Sequence, residues 1–407
     1  MLNGKTIGLC VTGSIAAYKA IYLLRLLTEA GADVRPVLTR GATRFVGAMS
    51  FSALSGHRAI EDMWSAAEGG EIGHVELSHD IDALIIAPAT ADTLARLAQG
   101  RANDPVCAVA LSTQAPILIC PAMEDGMWNH PATQANVAVL RERGVQFMSP
   151  TQGALASGRS GGGRMAEPAQ IAEKAAALLG PGDLVGMSVL VTAGPTREHI
   201  DPARFLSNPS TGRMGIAIAQ AARDRGAQVT LVLGPTALEA PSGMNVIKIT
   251  STQDMLDACE KAFEQSDVWI MAAAPADYRP AEQHEHKIKK TKSELGQLQL
   301  EKTPDILGAL EAMRSEQFIV GFAAETRDVL GYAREKLNRK NLDMIVANDI
   351  SGKNTGFASP TNAVTILARD GSEQAIELAP KREIAEAILN RIQTLRMRAL
   401  APQPSVH

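Results

Sequence analysis

The sequence predicts an α/β protein of two tandem doubly wound domains, and three observations carry that expectation. Short aliphatic runs alternate with helical patterns through most of the chain. The alternation is interrupted once, at Gly180-Pro181-Gly182-Asp183. It then restarts with a second strand that ends in a glycine turn. Buried strands alternating with helices specify a parallel sheet covered on both faces. The boundary is therefore placed at residue 183, giving domains 1–183 and 184–407.

In chain order, Lys5–Val11 is an apolar run that ends in Thr12-Gly13-Ser14. Ile15–Ala30 carries Ile21, Leu24 and Leu27 on one helical stripe, and Gly31 stops it. Val34–Leu38, Ala83–Ala87 and Ile117–Cys120 read as strands, with Thr90–Gln99 and Pro131–Arg143 as helices. Residues 150–165 are Gly-rich and read as a loop, either a linker or a functional flap, before a helix over Pro168–Leu179. Beyond the boundary, Ser188–Thr192 ends in Ala193-Gly194-Pro195-Thr196, and Gly212–Arg225 is helical. Val229–Leu233, Val268–Ala273, Phe318–Phe322 and Met344–Val346 read as further strands. Residues 287–301 alternate with a period near two around a central Gly and read as a two-stranded excursion.

Composition narrows the function. The 407 residues are 45% hydrophobic and 21% charged, as in ordinary globular proteins, so a disordered chain and a coiled coil are excluded. A net charge of −4 and 4% aromatics give no global reason to bind nucleic acid. No apolar run approaches the roughly 18 residues that span a bilayer, and no membrane partner is expected. The N-terminal stretch resembles a secretory signal only superficially, because Tyr18 and Lys19 interrupt it. Cys10, Cys107, Cys120 and Cys259 form no CxxC pair, so reduced, packed thiols in a cytoplasmic protein are expected.

Hydroxyl residues gather beside strand ends in the first half. Gly13 and Ser14 follow the first strand, Thr39 the second, and Pro88 through Thr90 the third, while Ser112 and Thr113 precede the fourth. Such groups suit a cofactor phosphate or cap helices, and both readings stand. The ordered set IGHVELS, APATAD, ANDP, PAMEDGMWNHP and LASGRSGGGRMAEP, over roughly residues 3–180, resembles the flavin-dependent cysteine decarboxylases. The resemblance implies a trimer-forming, flavodoxin-like domain with FMN between subunits. Gly13, Ser14, Thr39, Ser112 and Thr113 would hold the phosphate side, with Pro88 and Thr90 also against the cofactor. His74 would act as base while the flavin accepts a hydride from the cysteinyl group. Met127 would frame the substrate. Two departures stand out: Glu124 replaces the family's Asn, and Ser157 replaces its Cys proton donor. A serine hydroxyl is a far weaker acid than a thiol. Three readings follow: a working decarboxylase with Glu124 as acid, an enzyme that stops at the enethiol, or an inert assembly platform.

The second half is denser in motifs. SNPSTGRMG offers hydroxyls and N–H groups at a helix start, with Arg204 and Arg213 nearby. Lys287, Lys289 and Lys290 cluster, and Lys336 and Lys340 share a helix face at i, i+4. These segments, with AAAPADYRP, TPDIL, GFAAET and ANDI, resemble the phosphopantothenate–cysteine ligases over residues 186–395. The tandem resembles the bifunctional enzymes of coenzyme A biosynthesis, with a Rossmann-like ligase domain second. The resemblance implies that 4′-phosphopantothenate, CTP and cysteine are the substrates, joined through an acyl-cytidylate, with Mg²⁺ accompanying CTP. Asn208 would bind the carboxylate, and Lys287 would stabilise the phosphoryl transition state. Ala273, Ala274, Asp277, Pro304, Asp305, Ile306, Leu307, Phe322, Lys336 and Lys340 would line the nucleotide site, and Arg204 would contact substrate. Arg213 stands where many relatives carry Lys. A trimeric first domain and a dimeric second would build a homo-oligomer, up to a dodecamer. A flavodoxin-type electron carrier leaves the lysines and SNPSTGRMG without a role.

Overall fold

The computed structural model describes residues 2–64, 73–154, 158, 160–288, 298–325, 327–349 and 359–400. The chain separates into two compact units, Met1–Gly180 and Pro181–His407.

The first unit runs β1 (Thr6–Val11), α1 (Ala17–Glu29), β2 (Asp33–Leu38), α2 (Ala48–Ser55), α3 (Gly73–Asp80), β3 (Ala83–Ala89), α4 (Ala91–Ala98), α5 (Pro105–Ser112), β4 (Ile117–Pro121), α6 (Asp125–Trp128), α7 (Pro131–Glu142), β5 (Gln146–Phe147), β6 (Thr151–Ala154), β7 (Ser160–Arg164) and α8 (Pro168–Leu178). The sheet order β2-β1-β3-β4-β5 is parallel throughout. This is the flavodoxin-like order, whose direction of winding reverses between β1 and β3. Strand residues alternate between two cores, as a period of two requires. Ile85 and Ala87 pack with α1 and α8, whereas Leu84 and Ile86 pack with α4 and α5. Along α1 the buried stripe is Ala20, Leu23, Leu24 and Leu27; Ile21 is only half-buried.

The described residues of 150–165 are not simply a loop, because 151–154 and 160–164 are strands. β6 and β7 pair as an antiparallel hairpin. Gly163 is there because backbone meets backbone: a Cβ on it would lie 2.0 Å from the Met123 carbonyl oxygen.

The second unit runs β8 (Ser188–Ala193), β9 (Glu198–Asp201), β10 (Arg204–Leu206), α9 (Arg213–Asp224), β11 (Gln228–Leu233), β12 (Asn245–Lys248), α10 (Thr252–Phe263), β13 (Val268–Met271), β14 (Tyr278–Pro280), β15 (Leu300–Lys302), α11 (Ile306–Glu311), β16 (Phe318–Glu325), α12 (Val329–Arg339), β17 (Met344–Asp349), β18 (Thr361–Ala368), β19 (Glu373–Pro380) and α13 (Lys381–Leu400). Its eight-stranded sheet has the order β12-β11-β8-β13-β16-β17-β18-β19. The strands from β12 to β17 are parallel, and β18 and β19 add an antiparallel edge. Winding reverses between β8 and β13, the Rossmann arrangement. The expected two-stranded excursion within 287–301 takes another form. β15 pairs with β14, upstream of that segment, and residues 289–297 lie outside the described residues.

Helices α9 and α13 cover one face of this sheet, and Ile384, Ala385, Ile388, Leu389 and Ile392 of α13 join its core. Arg225 closes this layer. Its guanidinium, 4% exposed, pairs with Asp183 at 2.6 Å and Glu386 at 3.4 Å, and donates to Asn390 at 2.7 Å. Removing one partner of a buried ion pair strands the other charges. Arg225→Ala is expected to destabilise this unit by about 3 kcal/mol, read as a lower midpoint in urea unfolding.

Candidate functional sites at two strand-end crevices

In the first unit, parallel strands put all their carboxyl ends on one edge, where doubly wound sheets hold ligands. Gly13 and Ser14 follow β1 there, Thr39 follows β2, and Pro88 and Thr90 end β3. The edge is tied across the switch point. The Thr12 hydroxyl donates to the Pro88 carbonyl at 2.8 Å and accepts from the Thr90 N–H at 3.1 Å. The Ser14 hydroxyl accepts from Ala16 N–H at 3.3 Å, so it starts the turn into α1. The Thr39 hydroxyl accepts from Ala42 N–H at 3.2 Å. For Thr90 the capping reading holds: its hydroxyl accepts from Thr93 N–H at 3.3 Å.

His74 is the second residue of α3, which runs back from the carboxyl edge before β3 begins, so it lies near the same loops. Its Nδ1 is buried and takes no hydrogen bond among the described residues. Glu124 and Met127 follow β4 on this edge. Glu124 is the N-cap residue of α6, half-buried, and Met127 is exposed. The β6–β7 hairpin seats this segment. Met123 N–H donates to the Gly163 carbonyl at 2.9 Å, and Gly162 N–H donates to Asp125 Oδ1 at 2.7 Å. Ser157 lies outside the described residues.

Ser112 and Thr113 are corrected. They stand at the far end of α5, just ahead of β4, and so at the amino edge of the sheet. The Ser112 hydroxyl turns back to the Ala108 carbonyl at 2.7 Å, and Thr113 accepts from Ala115 N–H at 3.1 Å. Hydroxyls that end a helix serve its own backbone, and these do not join the crevice. The ANDP segment is also structural in part: Asp104 caps α5 and accepts from Arg96 at 2.8 Å.

In the second unit, two adjoining cavities of about 660 and 570 Å³ open at the carboxyl edge. Each is of ligand-binding size. Ala273, Pro275, Asp277, Phe322 and Lys336 line both. The first also takes Pro304, Asp305, Ile306, Leu307 and Lys340, and the second takes Asn208 and Ala274. Residues from five separate segments therefore meet at one edge.

The shared wall is set by buried threonines. Ala273 N–H donates to the Thr192 hydroxyl at 3.1 Å, and Ala276 N–H to the Thr196 hydroxyl at 2.9 Å. Thr196 joins Thr252, whose hydroxyl donates to Glu198 at 2.8 Å. Asn208 leans on that wall, with Nδ2 donating to the Pro275 carbonyl at 2.9 Å. A Cβ on Gly215 would lie 2.5 Å from the Ala193 Cβ, so glycine lets α9 sit against β8 here.

Lys336 Nζ donates to the Phe322 carbonyl at 2.8 Å, and burial lowers its pKa against the opposing pull of Glu325 and Asp277. Lys340 pairs with Asp305, which also caps α11 through Gly308 N–H at 3.1 Å. Burial resists ionisation of Asp305, but the bonds from Lys340 and Gly308 leave its carboxyl below the usual range.

Two sequence-predicted residues stay outside these cavities. Arg204 pairs with buried Asp201 and donates to the Ile288 carbonyl at 3.2 Å, while Ile288 N–H donates to Asp201 at 3.2 Å. Arg204 is thus an anchor for the arm that carries Lys287, and lines neither cavity. Lys287 is exposed on that arm. Lys289 and Lys290 lie outside the described residues. The second cavity also takes Arg213 and Asn348, which lie in the SNPSTGRMG and ANDI motifs, and the structure adds Lys381. A lysine opening a helix, where acidic residues are favoured, was the available signal for Lys381.

Among the described residues, no group of three or more His, Cys, Asp or Glu is placed to hold a metal, and no helix is long and apolar enough to cross a membrane.

The two sheets, with the cavities of the second, define a tandem α/β protein with a flavodoxin-like unit and a Rossmann-like unit, each with a switch point in its strand order. Residues 1–180 match the flavoprotein family, and residues 184–395 match the DNA/pantothenate metabolism flavoprotein C-terminal domain. The coenzyme A biosynthesis bifunctional protein CoaBC of Bacillus subtilis (strain 168) is 43% identical over 399 residues, covering 97% of this chain and 98% of its own. The protein of that name from Escherichia coli (strain K12) is 42% identical over 397 residues, covering 97% and 98%. A crystal structure of the C-terminal domain of a CoaBC protein is 42% identical and covers 53% of this chain and 99% of its own, with a TM-score of 0.46. The chain belongs to the CoaBC family of bifunctional coenzyme A biosynthesis proteins.

Proposed function

We propose that this chain carries out two consecutive reactions. The unit over 184–407 joins cysteine to 4′-phosphopantothenate with CTP, through an acyl-cytidylate. The unit over 1–183 then decarboxylates phosphopantothenoylcysteine to 4′-phosphopantetheine. The observation that carries this reading is the meeting of Asn208, Ala273, Asp277, Phe322, Lys336 and Lys340 around adjoining cavities, since family resemblance gives these scattered residues one nucleotide and one carboxylate.

In the ligase unit, Asn208 orients the substrate carboxylate, and its bond to the Pro275 carbonyl fixes the amide. Pro304 through Leu307 and Phe322 enclose the base, with Lys336 and Lys340 supplying positive charge. Mg²⁺ enters with the CTP phosphates. Asn208→Asp would set a carboxylate against the Pro275 and Ala274 carbonyls that Asn208 now bonds. The KM for 4′-phosphopantothenate is expected to rise about tenfold or more through like-charge repulsion, checked by CMP release at saturating CTP.

The flavoprotein unit suits FMN. Gly13, Ser14, Thr39, Pro88 and Thr90 face the switch-point edge, and His74 Nδ1 is a buried nitrogen with no described partner. FMN, when bound, would accept a hydride from the cysteinyl group and return it to the enethiol, so that the overall decarboxylation is redox-neutral. His74 takes the thiol proton at Nδ1, Met127 borders the substrate, and Glu124 holds the proton that the family's missing cysteine would otherwise supply. Exposed Tyr18 and Tyr22 on α1 and Met49 and Leu54 on α2 support a homo-oligomer, trimeric through this unit and dimeric through the other. Four buried free cysteines suit a reducing cytoplasm.

Mass analysis of the product formed from phosphopantothenoylcysteine tests the reading. Pantetheine phosphate is expected. Absence of carbon dioxide release with FMN bound would leave a ligase carrying an inert flavin domain, and accumulation of the enethiol would mark an unfinished reduction.

A further inference from the structure

Lys19 lies in the first turn of α1 and is only 6% exposed. A buried ammonium costs free energy unless it is paired. Packing does not require it, because Met165, Ala166, Ile171 and Ala175 already share an apolar core with Ala17, Ala20 and Leu24 of α1. What the ammonium adds is direction. Its Nζ donates to Glu167 Oε1 at 2.9 Å and to the Met165 carbonyl at 3.4 Å. Glu167 is the N-cap residue of α8, and the same Oε1 accepts from Arg164 Nη2 at 2.9 Å. The bond from Lys19 lowers the pKa of the Glu167 carboxyl against the pull of burial, and Arg164 lowers it further. Arg164 ends β7 and its guanidinium reaches across to β6, where a Cβ on Gly153 would lie 3.1 Å from Nη1. One buried lysine therefore fixes the end of the hairpin and the turn that follows it.

The same strand seats the segment after β4. The Gly163 carbonyl accepts from Met123 N–H, and Gly162 N–H donates to Asp125 Oδ1, one residue on either side of Glu124. β7 is thus a bridge from the Lys19–Glu167–Arg164 cluster to the residue that opens α6. We propose that Lys19 is a positioning residue for the reducing half of the first unit's reaction: through Glu167 and Arg164 it sets β7, and β7 sets Glu124. This rests on the decarboxylase reading, in which Glu124 gives the proton. That half adds a hydride and a proton across the carbon–carbon double bond of the enethiol and leaves the saturated thiol. The hydride is the one taken earlier from the cysteinyl group, so no outside reductant enters. The acid must sit within hydrogen-bond reach of the atom it protonates, and a misplacement of about 1 Å costs up to about a hundredfold. His74, which serves the oxidising half, belongs to α3 and not to this bridge.

The test uses the 407-residue chain loaded with FMN, as wild type, Lys19→Met and Glu167→Gln. Methionine keeps a buried stem and removes the charge, whereas glutamine keeps an oxygen for the cap of α8. Hydrogen exchange at the Met123 and Gly162 amides reads the seating without any turnover, and both are expected to exchange about tenfold faster in Lys19→Met. In a single turnover of phosphopantothenoylcysteine, the ratio of 4′-phosphopantetheine to enethiol is expected to fall about tenfold, with carbon dioxide release within about twofold of wild type. Glu167→Gln shifts both readings the same way and by less. A product ratio does not depend on how much of the chain is folded, so lost stability alone leaves it unmoved. Faster exchange with an unchanged ratio makes the cluster structural and overturns the proposal. A changed ratio with wild-type exchange overturns the route through β7, and two unchanged readings overturn the whole. If Lys19→Met fails to fold, Glu167→Gln decides by the same two readings. Glu124→Gln tests the underlying reading separately. If it leaves the ratio unaltered, Glu124 is not the acid, while movement of both readings in Lys19→Met would keep the bridge and assign it to another donor on the seated segment.

Discussion

Lys287→Gln is expected to slow CMP release from CTP and 4′-phosphopantothenate by about a hundred- to a thousandfold, the effect of removing one preorganised donor to a developing charge. The KM for CTP is expected to move far less than kcat, because a point charge at the phosphoryl centre acts mostly in the transition state. The structure gives this prediction an edge. Lys287 is exposed and lines neither cavity, yet its neighbour Ile288 is fixed on both backbone atoms by Asp201 and Arg204. The lysine starts from an anchored stem. Trapping of the acyl-cytidylate in a single turnover checks the role. A wild-type rate would transfer the charge stabilisation to Lys336 or Lys381, which face the cavity directly.

Glu124→Gln is expected to lower 4′-phosphopantetheine formation from phosphopantothenoylcysteine by about 10²- to 10⁴-fold, the usual contribution of a positioned acid. Carbon dioxide release is expected to persist for the first turnover only, about one per bound FMN, because decarboxylation precedes the proton that Glu124 would give while reoxidation of the flavin requires the enethiol to be reduced. The enethiol then accumulates and is read by mass. Glu124 is well placed for this. It opens α6, and the Met123–Gly163 and Asp125–Gly162 bonds hold the residues on either side of it. An unaltered turnover would remove Glu124 as the acid.

The fold was legible because the strands are simple. Runs such as ALIIA and VLVT are buried on both faces, and helical stripes separate them. The gathering of Asn208, Ala273, Ala274 and Asp277 about the second unit's cavities was legible for a related reason: these residues follow strand ends, where a doubly wound sheet collects ligands. What failed has physical causes. Ser112 and Thr113 show that a hydroxyl bonding nearby backbone, within the helix or just past its end, resembles one waiting for a phosphate. The Gly-rich hairpin shows that glycine can mark close backbone packing on Met123 as readily as a loop. Arg204 carries a charge that suggests substrate, but Asp201 already claims it. Lys381 gave only the weak signal of a lysine opening a helix, because Arg213 of the same cavity lies in a distant helix, and only the packing of α9 beside α13 joins them.

That packing has a consequence for synthesis. Helix α13 follows every strand of its sheet in the chain, while Arg225 waits upstream for Glu386, Asn390 and Gln393. Domains fold as units, earlier ones first, as they leave the ribosome. The flavoprotein unit has all its elements before residue 181 and is free to fold while the rest is being translated. The ligase sheet is complete at Pro380 but still lacks the second helix of one covering layer, the Lys381 corner of its cavity and the partners of a buried guanidinium. A nascent chain halted at that point is expected to expose the apolar face that α13 covers, making this late interval the one in which the growing protein depends most on chaperones.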